Sequence, residues 1–167
     1  HGLSNEIPLN VKKKGFKTIV TIHDLIFLRF PQYYKYIDRQ IYTYKFRKAC
    51  LNADKIIAVS ECTKRDIIDI FQIPENKIEV VYQGCDESFK EQVSAQKKIE
   101  VKNKDNLPDR YILNVGNNEE KKNALLAVEA MTSVTEDVHL VIIGRRTPDT
   151  GKIESFIEER KLTNRVH

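Results

Sequence analysis

With 167 residues, 41% of them hydrophobic and 31% charged, and with only six glycines and five prolines, the chain has a globular composition. That composition excludes collagen-like, low-complexity and wholly disordered classes, and the length suits one ordinary domain better than two full α/β domains. The net charge of +4 belongs to the first half: residues 1–86 carry 14 Lys and Arg against 10 Asp and Glu, whereas residues 87–167 carry 14 of each. No window approaches the roughly 18–20 uninterrupted apolar residues of a membrane span, and HGLSNEIPLN lacks the basic-then-apolar pattern of a signal peptide. A cytoplasmic location is expected.

In chain order, KTIVTI at 17–22 is a short β-branched run that suits a strand buried on both faces. A turn-like stretch ends at Pro31, after which Tyr34, Ile37, Ile41 and Tyr44 recur at helical spacing, with Tyr42, Phe46 and Ala49 widening the stripe. This predicts a long amphipathic helix that packs on that stripe. Asn52 to Asp54 ends it, KIIAVS at 55–60 predicts a second buried strand, and Ser60 is placed to cap a helix with Ile67, Ile68 and Phe71 inside. Pro74 and Asn76 turn the chain into a third strand, IEVVY at 78–82. From 87 to 108 the apolar periodicity fails, and this polar stretch reads as a linker. The alternation restarts with YILNVG at 111–116, a helix from about Asn123 with Leu125, Val128 and Met131 on one face, the strand HLVIIG at 139–144, and a helix marked by Ile153, Phe156 and Ile157. Alternating buried strands and helices imply parallel sheets under helical cover. Two such runs divided by a polar crossing point to two halves rather than one domain.

Four features could carry chemistry. In VGNNEEKKN, 115–123, a strand ends at Gly116 and a helix follows, so backbone N–H groups, Lys121 and Lys122 share one loop; that arrangement suits a phosphate, and equally an ordinary structural connection. The loop is neither GxGxxG nor a Walker sequence. His23 directly follows a strand, where open parallel sheets place ligands, although backbone groups can also satisfy a histidine there. Lys64 and Arg65 lie in the first turn of a helix, where cations oppose the macrodipole and an anion would relieve them. The five tyrosines between Arg29 and Phe46 lie among basic residues, but their helical spacing favours core packing over base stacking, and the dispersed charge argues against nucleic-acid binding. Cys50, Cys62 and Cys85 form no CxxC pair and have no neighbouring His at ligand spacing, so reduced thiols are expected and no metal site is assigned. Lys12 to Lys14 and Lys17 are candidate contacts for an anionic lipid surface.

Taken in order, HGLSNEIP, VTIHDLIFLRFP, ADKIIAVSECTKRDI, KIEVVYQGCDESF, YILNVGNNEEKKN and LVIIG resemble the family-4 retaining glycosyltransferases, most nearly their bacterial mannosyltransferase-like members. The resemblance implies a GT-B architecture of two Rossmann-like lobes, each partial here. The rear of the acceptor-side lobe would span 1–86, an interlobe linker 87–108, and the front of the donor-binding lobe 109–167. It implies transfer of a hexose such as mannose from a nucleotide sugar to a glycan or lipid-linked acceptor in polysaccharide biosynthesis, with no metal or other cofactor. His23 then matches the family histidine that faces the transferred sugar. Gly116, Asn117, Lys121 and Lys122 match the loop that holds the donor diphosphate, with Lys122 as the contacting lysine. Lys121 or Asn117 stands where an arginine is common, which removes a planar fork. The family's acidic donor motif is expected beyond residue 167, so the segment is expected to be inactive alone and to self-associate through uncovered edges. A noncatalytic phosphate- or nucleotide-binding α/β module is the alternative.

Overall fold

The computed structural model describes residues 1–8, 11 and 15–167, so Lys12 to Lys14 lie outside the described residues. The chain divides into two compact units, His1–Phe89 and Lys90–His167.

In the first unit, β1 (Ile19–Ile22), β2 (Lys55–Ala58) and β3 (Ile78–Val80) form a parallel sheet in that order, and Gly2 bridges Val20 on the outer side of β1. Ile19 pairs with Lys55, and Ile56 pairs with Ile78. A short helix α1 (Ile26–Arg29) replaces the turn expected before Pro31, and α2 (Tyr36–Asn52) and α3 (Glu61–Phe71) cover the sheet. The core joins Val20 and Ile22 of β1, Ile56 and Ala58 of β2, Ile67 and Phe71 of α3, and Ala49 and Cys50 of α2. Ser60 caps α3 by accepting from the Thr63 N–H at 3.1 Å. The Lys77 ammonium donates to the Cys50 and Leu51 carbonyls at 2.8 and 2.9 Å, placing a cation on the last carbonyls of α2, where the macrodipole favours it. Asp54 accepts from the Thr18 N–H at 2.7 Å and hydroxyl at 3.1 Å, tying the end of α2 to the entry of β1.

Helix α2 departs from its expected packing. The stripe of Ile37, Ile41 and Tyr44 is exposed, and the buried side carries Ala49 and Cys50 with Phe46 against the core. The helix is apolar on two sides, so periodicity alone could not choose between them. Phe27 anchors the inner side, meeting Tyr34, Tyr42 and Phe46 edge-on at ring-centroid separations of 6.3, 5.7 and 5.1 Å, a geometry the ring quadrupoles favour.

Residues 87–108, read as a linker, contain a 3-10 turn (Glu87–Phe89) and the helix α4 (Ala95–Lys104). Helix α4 buries no residue, which is why apolar periodicity missed it. Ala, Gln, Lys and Glu favour helix intrinsically, and Ser94 caps it by accepting from the Lys97 N–H.

In the second unit, β4 (Tyr111–Val115) and β5 (His139–Ile143) pair in parallel from Tyr111↔His139 to Val115↔Ile143, and Val166 bridges Leu140 on the far side of β5. Helices α5 (Ala124–Ala130) and α6 (Thr150–Glu159) supply Val128 and Ile153 to a core with Met131 and Leu140. Strand β4, expected to be buried on both faces, leaves Ile112, Leu113 and Val115 exposed. Arg165 locks the connection after α5: its guanidinium donates to the carbonyls of Met131, Val134, Thr135 and Val138 at 2.7–3.3 Å.

Candidate functional site

The candidate residues fall in both units, each at the carboxyl end of a parallel strand, the end at which such sheets place ligands. His23 follows β1 and is held on three sides. Its N–H donates to Asn5 Oδ1 at 2.8 Å, its carbonyl accepts from the Thr63 hydroxyl at 2.9 Å, and its Nε2–H donates to the Leu3 carbonyl at 2.9 Å. Because a carbonyl can only accept, Nε2 carries the proton and Nδ1 is the acceptor in the neutral ring. Asn5 adopts a left-handed backbone, φ 63°, that asparagine tolerates, and its N–H donates to the Thr21 carbonyl. Residues 1–5 therefore orient the histidine, a role the sequence did not disclose.

His23 lines an open groove of about 600 Å³ with Asp24, Arg29, Ser60, Cys62 and Asp66 among its walls. Arg29 closes a bond from α1 to α3, 2.6 Å from Asp66 and 3.6 Å from Asp69, and the Asp66 carboxylate raises its pKa. Lys64, read as a candidate anion contact, is occupied instead by Glu75 at 2.7 Å, which raises the lysine's pKa and lowers that of the carboxyl. A pairing partner from the following turn was invisible to local spacing.

In the second unit, the turn from Gly116 to Asn123 is fixed by the neighbouring strand. Gly116 N–H donates to the Ile143 carbonyl at 2.9 Å and Asn118 N–H to the Arg145 carbonyl at 3.3 Å. A Cβ on Gly144 would stand 1.7 Å from the Gly116 carbonyl oxygen, so only glycine admits this approach. Asn118 is buried, donating through Nδ2 to the Thr150 hydroxyl at 3.5 Å, while its carbonyl accepts from the Thr147 hydroxyl at 2.7 Å. Thus Asn118, Thr147 and Thr150 set the loop's shape, and sequence reasoning missed all three because their partners lie about 30 positions apart.

Lys121 and Lys122 lie on a 3-10 turn (Glu120–Lys122). Lys121 pairs with Glu119 at 2.8 Å, which holds the Glu119 carboxyl below its usual pKa range. Lys122 is exposed. The helix that follows, α5, has only seven residues, and Asn123 at its N-cap position makes no side-chain cap hydrogen bond and has φ 52°. A cavity of about 180 Å³ lies nearby between Asn118, Asn123, Asp149 and Ile153, and none of Gly116, Asn117, Lys121 or Lys122 lines it. Among the described residues no cluster of three His, Cys, Asp or Glu could hold a metal ion, and no helix is long and apolar enough to cross a membrane.

The family model Glycosyltransferase Family 4 matches residues 6–89, just over half of the chain, from the segment before β1 through β3 and including His23. The chain belongs to glycosyltransferase family 4. No curated protein matches it in sequence. Among solved structures, HepE of Anabaena in complex with UDP and glucose is similar with a TM-score of 0.72 at 15% identity, over 93% of this chain and 41% of HepE. HepE in complex with UDP gives 0.71 at 15% identity, over 93% and 42%. A glycosyltransferase from Rickettsia africae gives 0.62 at 19% identity, over 94% and 47%. The family-4 chain thus spans less than half the length of these structures, and it shares with them the α/β fold with parallel sheets of GT-B glycosyltransferases.

Proposed function

We propose that this chain is part of a retaining hexosyltransferase that moves a hexose, with mannose as the working choice, from a nucleotide sugar to a glycan or lipid-linked acceptor in polysaccharide biosynthesis. The observation that carries the reading is the family-4 match over residues 6–89, which has His23 at the carboxyl end of β1. Binding of UDP and glucose by the structural neighbour HepE supports a nucleotide-sugar donor. We place the protein in the cytoplasm, with peripheral contact to the inner membrane.

His23 is assigned to the transferred sugar. With Nε2–H bound to the Leu3 carbonyl, Nδ1 is the ring atom available to accept a hydrogen bond from a sugar hydroxyl. Gly116, whose own N–H is held by the Ile143 carbonyl, makes the turn that brings the Asn117 backbone N–H to the donor diphosphate, and Lys122 supplies the cation that offsets charge developing on the leaving diphosphate. Lys121 shares its charge with Glu119 and contributes less. No metal or other cofactor is assigned, and no protein nucleophile is named.

The test is transfer of labelled hexose from UDP- and GDP-hexoses by the protein carrying these residues. His23→Ala is expected to lower kcat at least about 100-fold, the lower range for a group that acts on protons or hydrogen bonds in the transition state. Wild-type transfer with His23→Ala unimpaired would remove the histidine from the mechanism, and absence of any nucleotide-sugar turnover would remove the reaction. The second reading, a noncatalytic phosphate-binding module, is favoured by the exposed lysine turn at 120–122 and predicts equal affinity for inorganic phosphate and nucleoside diphosphates.

A further inference from the structure

We propose that His139 and His167 form a two-imidazole chelate for a divalent transition-metal ion with right-angled coordination, Ni²⁺ or Cu²⁺, at the amino end of β5. His139 Nδ1 and His167 Nε2 stand 2.8 Å apart, with the ring planes inclined by 14° and the ring centroids separated by 5.1 Å. Because the centroids are much farther apart than the two nitrogens, the rings meet edge to edge rather than face to face. One N–H then lies between two nitrogens, and a metal ion can take the place of that proton when both imidazoles are neutral. The backbone sets both ligands. The His139 N–H donates to the Arg110 carbonyl at 3.0 Å; the His167 N–H donates to the Leu140 carbonyl at 2.9 Å, and its carbonyl accepts from the Ile142 N–H at 2.8 Å. Each histidine is one residue from the bridged pair Leu140 and Val166, so strand alternation puts both side chains on the same face.

The separation selects the ion. Metal–nitrogen bonds of about 2.0–2.1 Å to nitrogens at this spacing enclose nearly a right angle, whereas a tetrahedral ion holds its ligand nitrogens about 3.3–3.4 Å apart. Right-angled nitrogen positions suit tetragonal Ni²⁺ and Cu²⁺, and Cu²⁺ heads the general affinity order. Each ring must turn for the lone pairs to converge on the metal, which the exposed His167 and half-buried His139 allow. Two protein ligands are fewer than a closed structural site uses, so water completes the shell. The open groove of about 640 Å³ beside His139 has room for that water. Glu136 in this groove is outnumbered by Arg160, Lys161 and Arg165, so the surrounding charge does not attract a cation and the affinity comes from the nitrogen bonds. Metal bound there joins β5 to residues 165–167. The site is at the opposite end of β5 from Gly144 and uses no residue assigned to the sugar or the diphosphate, so it holds or fails independently of the transferase reading.

The test is isothermal titration of the chain with Ni²⁺, Cu²⁺ and Zn²⁺ near neutral pH, at low and raised salt. Three variants are compared with wild type: His139→Ala, His167→Ala and, as a control at a histidine outside the pair, His1→Ala. Circular dichroism checks that each folds. The proposal predicts a Ni²⁺ site that either His139→Ala or His167→Ala weakens at least about tenfold and that His1→Ala leaves in place. It also predicts that Cu²⁺ binds there most tightly, that Ni²⁺ binds more tightly than Zn²⁺, and that raised salt does not weaken the site. Ni²⁺ should raise the melting temperature of wild type by more than that of His139→Ala. Binding equal in wild type and both pair variants, or lost on raising salt, marks an adventitious ion at surface carboxylates and overturns the proposal. Tighter binding of Zn²⁺ than of Ni²⁺, or no binding of Ni²⁺ at all, overturns it as well.

Discussion

The two units use the same strand-helix-strand grammar and end up differently buried. In the first, β2 has a hydrogen-bonded strand on each side, and Ile56 and Ala58 are fully buried. In the second, β4 is paired only on its β5 side among the described residues, and three of its four large apolar residues, Ile112, Leu113 and Val115, are about half exposed or more. An apolar β-branched run therefore specifies a strand, whereas its burial is a property of its neighbours. The contrast extends to the helices: α3 is held by core residues and a cap, and α4 by propensity and a cap alone.

This contrast can be broken or sharpened by mutation. The largest effect is expected from Ile56→Ala, a truncation in a site with no room to collapse, at about 3–4 kcal/mol in urea unfolding of the first unit. Leu113→Ala, half exposed on β4, should cost under about 1 kcal/mol. Similar costs at both sites would show that β4 is covered in solution. Gly144→Ala should follow at about 2–3 kcal/mol, because the new Cβ meets the Gly116 carbonyl oxygen and the strand ends must part; an unchanged melting temperature would mean the two turns are not in register. The two serine caps separate next. Ser60→Ala should lower global stability by about 1 kcal/mol, whereas Ser94→Ala should reduce far-ultraviolet helix signal and leave the main unfolding midpoint in place, since α4 buries nothing. The smallest effect concerns protonation of the Lys64–Glu75 pair. The Glu75 carboxyl is depressed, so its contribution is present above the ordinary glutamate range and fades as pH falls through its lowered pKa. The melting-temperature difference between wild type and Glu75→Gln should shrink on acidification, and a difference that grows would reverse the sign.

Burial also sorts the thiols. Cys50 lies in the core, and burial pushes its pKa up to about 12, whereas Cys62 and Cys85 are exposed. A disulfide reagent near pH 8 should modify two thiols quickly and the third only on unfolding; three fast thiols would mean that α2 opens readily.

Much of the fold was legible because β-branched runs and turn residues are local signals. KTIVTI, KIIAVS, YILNVG and HLVIIG each contain an observed strand, and Ser60 caps its helix as read. What failed depended on information outside the local window. Of the stripe read on α2, Phe46 and Ala49 pack while Ile37, Ile41 and Tyr44 are exposed, because both sides of the helix are apolar, and α4 was missed because it has no apolar side. At the candidate site, His23 and the 116–122 loop were visible from strand ends. Their supports were not, because Asn5, Thr63, Asn118 and Thr147 act through hydrogen bonds to residues 18 to 40 positions away in sequence.

The central claim is that the 116–122 loop serves a nucleotide-sugar donor. Isothermal titration of the chain with UDP, GDP and inorganic phosphate, repeated with Lys122→Ala, tests it most directly. The account predicts that one nucleoside diphosphate binds at least about tenfold tighter than phosphate and that Lys122→Ala removes about tenfold of that affinity, the worth of one charge-assisted contact. Phosphate binding as tight as either nucleotide, or nucleotide binding unchanged in Lys122→Ala, would contradict it.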